Sequence, residues 1–362
     1  MSTTFYYGIL LLLFGTGIIL TTISLRRRPA NPTDGAPANK LALFFLVALR
    51  LSIGWHCLVE GLDKFSAANW SSEAYLRESI GPFSGFFRGL AGDRLLEKIN
   101  DGAEKQFPPR LEREWRDYAD AFATFHELDA DQLTRMQTII DQRKSDTLSN
   151  FASKAELVTK ISPYPPEYKL EMTVKQRLAE HKRLQKIVAE VEARMPTKDQ
   201  KVHADWKSAK ADVAKWRAGF AKTIADETAG FKEALKKDLL TKEQQALPMP
   251  ESPGMRLRSW GMLEYSDLLV KTSLVVFGTC MLLGLLSRVS AGVLATLLLS
   301  FYLAMPAIPG YPESPRLEGH YIFINKTLIE VIALAALACL PTGRWAGLDA
   351  LLAMVCSKPK TV

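Results

Sequence analysis

Five apolar runs, each close to the roughly 20 residues needed to cross a bilayer's hydrocarbon core, constrain this chain most. They are Phe5 to Leu20 with its Thr/Ile continuation, Leu41 to Leu62, Tyr265 to Leu286, Val289 to Ile308 and Tyr321 to Leu340. Between the second and third lies Ser66 to Met262, charged, broken by prolines and without a spanning run. Whole-chain averages hide the pattern: mean hydropathy is near zero and 23% of residues are charged, because two unlike parts are mixed. Among membrane-spanning structures only helices satisfy their backbone within one such segment. The expected fold class is therefore all-α, a polytopic membrane helix bundle with a large inserted helical domain.

The first run lacks a basic leader and is followed by Arg26, Arg27 and Arg28, the reverse of a secretory signal. Basic residues in short loops mark the cytoplasmic face, so the N-terminus is expected outside and the triple Arg inside. Strict alternation then puts Arg288, Arg344, Lys358 and Lys360 inside, with Ser66 to Met262 and the loop Pro309 to His320 outside; Arg316 is that loop's only Lys or Arg. A formal charge of +7 follows from cytoplasmic anchors and solvated helix faces, and calls for no nucleic acid.

Arg50 sits in the middle of the second run and Glu330 at similar depth in the fifth. An isolated mid-membrane charge costs roughly 3 kcal/mol on insertion scales. Opposite signs at matching depth predict that the two interact inside the bundle, directly or through one polar intermediary, and border a functional cleft. At about 100° per residue, Arg50, Gly54, Cys57, Gly61 and Lys64 fall on one stripe, with His56, Glu60 and Asp63 beside it. Small residues on the Arg stripe let another helix approach closely. Glu60 and Lys64 are i,i+4 neighbours. Asn325 and Lys326 lie a turn outward from Glu330, and Asp267 and Lys271 in the outer half of the third run. Together these predict a polar cleft open to the outer side.

The four cysteines, Cys57, Cys280, Cys339 and Cys356, lie in or beside the apolar runs, and the insert has none. A disulfide framework for the insert is thereby excluded. No CxxC, CxxCH or Cys/His cluster is present, so haem, iron–sulfur and metal sites have no motif. In the insert, Asp129 to Gln132 and Thr197 to Gln200 read as capping boxes. After Thr197, Val202, Trp206, Ala209, Val213, Trp216, Phe220, Ile224, Phe231, Leu235 and Leu239 form a stripe at helical spacing. A second helix is expected over Leu170 to Met195, after the turn Ser162 to Pro166, and Pro248 to Gly254 return the chain to the membrane.

The segment RLSIGWHCLVEGLDKF, Arg50 to Phe65, resembles the first-helix signature of the DoxX/DoxD family, with its Arg, spaced Gly and terminal Gly-x-x-Lys. SSEAYLRESIGPFSGFFRGLAGD, Ser71 to Asp93, is similar to the stretch that follows in the DoxD-like branch. LLGLLSRVSAG, Leu282 to Gly292, resembles the family's second-to-third helix turn, and PTGRWAGLDALL, Pro341 to Leu352, its C-terminal amphipathic end. The resemblance spans a little under half of the chain and carries over Arg50, Gly54, Gly61 and Lys64. It implies a four-helix membrane unit and quinone-linked redox chemistry of the thiosulfate:quinone oxidoreductase type.

The expected order is a transmembrane helix with basic anchor at 1–28, a cytoplasmic linker at 29–40 and the first helix of the DoxX-like unit at 41–65. An extracytoplasmic insert follows at 66–262, with an interfacial segment at 71–93 and a helical bundle at 94–247. Three more transmembrane helices occupy 263–341, and a cytoplasmic amphipathic tail 342–362. A bacterial cytoplasmic membrane is the expected location, and a homo-oligomer is compatible with the pattern. Two function classes remain. In one, the bundle is the quinone-reactive subunit of an oxidoreductase supplied with electrons by a redox partner. Its catalytic candidates are Arg50, His56, Glu60, Lys64 and Glu330, and its quinone cleft Arg50, Lys64, Asn325 and Lys326. In the other, the bundle is a non-enzymatic anchor whose helical insert is a scaffold for partner proteins.

Overall fold

The computed structural model describes residues 39–67, 70–99, 106–158, 169–247, 261–313 and 319–356. The N-terminal run, Arg26 to Arg28, the turn Ser162 to Pro166, Pro248 to Gly254, Arg316, Lys358 and Lys360 lie outside them, as do the expectations that rest on those residues.

The described helices are, in order, α1 (Lys40–Ser66), α2 (Glu73–Arg77), α3 (Ser84–Ala91), α4 (Arg94–Glu97), α5 (Pro109–Phe125) and α6 (Ala130–Ala152). Two short strands follow, β1 (Ala155–Val158) and β2 (Lys169–Met172), then α7 (Val174–Glu192), α8 (Gln200–Leu239) and α9 (Lys242–Gln245). The chain ends in α10 (Met262–Leu283), α11 (Ser287–Ala304), α12 (Lys326–Cys339), α13 (Thr342–Trp345) and α14 (Leu348–Cys356). The fold is mostly helical and divides into two compact units, Met1–Gly92 with Gly261–Val362, and Asp93–Trp260. Among the described residues three helices, α1, α10 and α11, are long and apolar enough to cross a membrane. The protein is accordingly read as a membrane protein.

In the first unit α1 packs along α10, and glycine sets how closely. A Cβ built on Gly278 would lie 2.7 Å from the Leu58 amide nitrogen, and one on Gly54 would lie 2.9 Å from the Met281 Cβ. Gly61 meets Val275 and Leu274 in the same way. The small-residue stripe therefore faces α10. From there Gly284, at φ +65°, and Leu286, at φ +48°, turn the chain into α11, which packs along α12.

Two apolar runs are longer than the helices they form. The fourth was expected to reach Ile308, but α11 ends at Ala304, just before Pro306, a residue that lacks the amide a continuing helix needs. The fifth was expected to begin at Tyr321, yet α12 starts at Lys326. Ile322 and Phe323 have positive φ, Tyr321 bridges Ile324, and the Phe323 amide donates to the Ala307 carbonyl at 2.8 Å. The Phe323 amide is thus spent just beyond α11, and those of Tyr321 and Ile324 on each other's carbonyls. The 14 residues of α12 cover about 21 Å at the helical rise.

The second unit is built around α5, α6, α7 and α8. Trp115 stacks on Phe231 with centroids 4.4 Å apart, and Leu111, Phe151, Phe220 and Leu235 are fully buried around them. The long stripe forms α8, 40 residues in one helix, with Ala209, Trp216, Phe220, Ile224, Phe231, Leu235 and Leu239 buried. Asp129 and Gln132 make the expected capping box. Thr197 does not: its hydroxyl accepts from the Asp199 amide, and Asp199 caps α8 instead. The helix expected from Leu170 begins at Val174, because residues 169–172 pair antiparallel with 155–158 and Thr173 with Gln176 boxes the start. Asp212, a charged residue within α8, is buried and 3.4 Å from Lys215.

Candidate functional site

The charges of the first unit gather at two places. Toward the N-terminal half of α1, Arg50 is fully buried and its Nη1 donates to the Thr342 carbonyl at 2.9 Å and the Ala346 carbonyl at 2.6 Å. The carboxylate whose field reaches it is that of Asp349. Asp349 in turn accepts from the amides of Leu286, at 2.8 Å, and Ser287, at 3.2 Å, where α11 begins with unpaired donors. The Ser287 hydroxyl accepts from the Gly343 amide at 3.0 Å. Arg50 thus fastens α1, the α10–α11 turn and the α13 corner together.

Among the described residues Arg50 and Glu330 make no direct pair. Glu330 lies 3.6 Å from His56 instead, and His56 is six residues beyond Arg50, about 9 Å along the helix. Depth in a hydropathy run left that offset unresolved, since α12 begins five residues later than its run.

His56 and Glu330 belong to the second place, a cleft of about 210 Å³ between α1 and α12. From α1 it takes His56, Cys57, Glu60 and Lys64; from α12, Lys326, Thr327 and Glu330. Leu274, Leu298 and Phe301 form the apolar wall. Lys64 forms an ion pair with Glu60, one turn away, and donates to the Glu60 carbonyl at 3.2 Å. The segment after α1 supplies Tyr75, which lines the cleft while its hydroxyl donates to the Phe301 carbonyl at 2.7 Å. Asp267 caps the start of α2 through Ser72, and the Ser79 hydroxyl and Ile80 amide both donate to the Ala304 carbonyl. This segment is held across the ends of α10 and α11.

Of the sequence candidates, His56, Glu60, Lys64, Lys326 and Glu330 therefore come together, while Arg50 and Asn325 stay apart. Asn325 is 1% exposed and caps α12, its Oδ1 accepting from the Leu328 amide at 2.9 Å. Lys271, placed with the cleft by sequence, lies over the rings of Trp70, at 5.1 Å, and Phe65, at 5.9 Å; Lys64 lies 5.7 Å from the same Trp70 ring. Missed residues are Cys57, which shared a stripe with Arg50, and Thr327 and Tyr75. No spacing signal marks Tyr75, which reaches the cleft only because its segment folds back. Among the described residues no group of three or more His, Cys, Asp or Glu is placed to hold a metal ion.

Chemically the cleft offers two ammonium groups, two carboxylates and an imidazole within reach of an apolar wall. Such a site can donate hydrogen bonds to a carbonyl oxygen and pass protons between His56 and Glu330. Compared with protein-family models, curated proteins and solved structures, the chain finds no match.

Proposed function

We propose that this protein is a DoxX/DoxD-like membrane protein in which α1, α10, α11 and α12 act as the four-helix unit, and that its cleft binds a quinone headgroup. The observation that carries this reading is the His56–Glu330 contact within a cleft that also holds Lys64 and Lys326. At about 210 Å³ the space is smaller than the usual 300–1,000 Å³ of drug-sized pockets, which suits a single ring. Lys64, Lys326 and His56 have the donors that quinone carbonyls require, and Glu330 and Glu60 can receive or return protons. A bound quinone would accept two electrons and two protons to become the quinol, the electrons coming from a reductant-bearing partner subunit. On this reading the unit spanning Asp93–Trp260 is the inserted, extracytoplasmic domain on which that partner docks, and the location is a bacterial cytoplasmic membrane.

Extraction of the purified protein with organic solvent tests the proposal. Wild-type protein should carry co-purified quinone, and Glu330→Gln combined with His56→Phe should retain at least about tenfold less, equivalent to about 1.4 kcal/mol. Equal quinone in both, or none in the wild type beside protein subunits that co-purify through the second unit, would favour the scaffold reading instead.

A further inference from the structure

Resting on the reading of the cleft as a headgroup site, we infer that the cleft is entered sideways from the lipid phase, between α1 and α12, so that its ligand is an amphiphile with a polar ring and an apolar tail. Three features point there. The first is the seam itself: α1 packs closely on α10, and α12 on α11, but α1 and α12 touch sparsely, and the cleft lies along that sparse contact.

The second is exposure at the wrong depth for water. The His56 side chain is 42% exposed and that of Glu330 22%. His56 lies eight residues, about 12 Å, from Lys64, whose contact with Trp70 has the aromatic-and-cation character of a membrane boundary. Polar side chains at such depth normally face a bundle interior or a cavity. Here they are part-exposed beside the seam, while Ile329 and Ile332, about 100° and 160° around α12 from Glu330, are 59% and 60% exposed, an apolar outer surface for a tail next to a polar slot for a head.

The third is the cover. The segment carrying Ser72, Tyr75 and Ser79 is bonded to α10 and α11 at the Lys64 end, and Tyr75 lines the cleft on that side. A ligand from water would meet this segment first, whereas one from the bilayer meets the seam.

Paired carbodiimides test the route on full-length protein in liposomes at mildly acid pH. Dicyclohexylcarbodiimide, which partitions into lipid, should modify Glu330 at least about tenfold faster than a water-soluble carbodiimide does, as read by peptide mass spectrometry, while Glu190, exposed on the second unit, should show the reverse preference. Labelling of Glu330 by the water-soluble reagent at the rate of Glu190, or by neither reagent, would overturn the lateral route. Protection by a decyl-substituted benzoquinone separates the two readings. Fast apolar labelling that the decylquinone slows supports both, and fast labelling that it leaves unchanged keeps the lateral route while removing the quinone assignment.

Discussion

Arg50 and Glu330 are both charges inside apolar helices, yet their surroundings differ in kind. Arg50 is wholly buried against two carbonyls, with Asp349 beside it and that carboxylate itself fastened to two amides. Glu330 is partly exposed, faces a half-exposed His56 at 3.6 Å and borders open volume. A buried charge gripped by the fold's own carbonyls is architecture. One left facing a cavity is available to a ligand. Rarity of charge in a membrane helix marks both without distinguishing them.

The comparison breaks first at Arg50. Arg50→Leu should cost about 3–5 kcal/mol, the range for removing one member of a buried charged set, and full-length protein should fail to accumulate. Adding Glu330→Leu should restore nothing; recovery in the double variant would mean that the two charges are coupled after all. Gly278→Val comes next, since even a Cβ there meets the Leu58 backbone, and overpacking of this kind costs about 1–3 kcal/mol. An unchanged melting temperature in detergent would show that α1 and α10 are free to separate. Asp349→Ala, at a part-exposed position, should cost about 1–2 kcal/mol through the lost cap together with the lost carboxylate beside Arg50, visible as a drop in the same melt. Smallest is Glu330→Gln, expected within 1 kcal/mol of wild type as for a partly exposed pair, while its quinone content falls. A large loss of stability at that position would make the cleft end architecture too.

The sequence made the seam between α1 and α10 legible, because Gly54 and Gly61 recur on one face and small residues have a direct steric meaning. Glu60 with Lys64 was legible for the same local reason. Partnership across the bundle was not. Which residue meets Arg50 depends on where α12 starts, and that is decided by Phe323 and Ile324 giving their backbone groups to Ala307 and Tyr321, a tertiary event that hydropathy does not record. In the second unit, capping at Asp129 could be read from four residues, whereas at Thr197 two adjacent candidates, Thr197 and Asp199, competed for one helix start.

The shortness of α12 bears on the membrane around it. Where its neighbour α1 offers 27 helical residues, this corner offers 14, several ångströms less than a typical hydrocarbon core of about 30 Å. If α12 is the fourth span of the proposed unit, lipid beside it has to thin to match, at a fraction of a kcal/mol per ångström. On the proposed reading the bilayer would be pinched at the corner that carries Lys326 and Glu330, which would shorten a proton's path from the headgroup region to the His56–Glu330 contact and give the protein a preference for thin or easily deformed membranes.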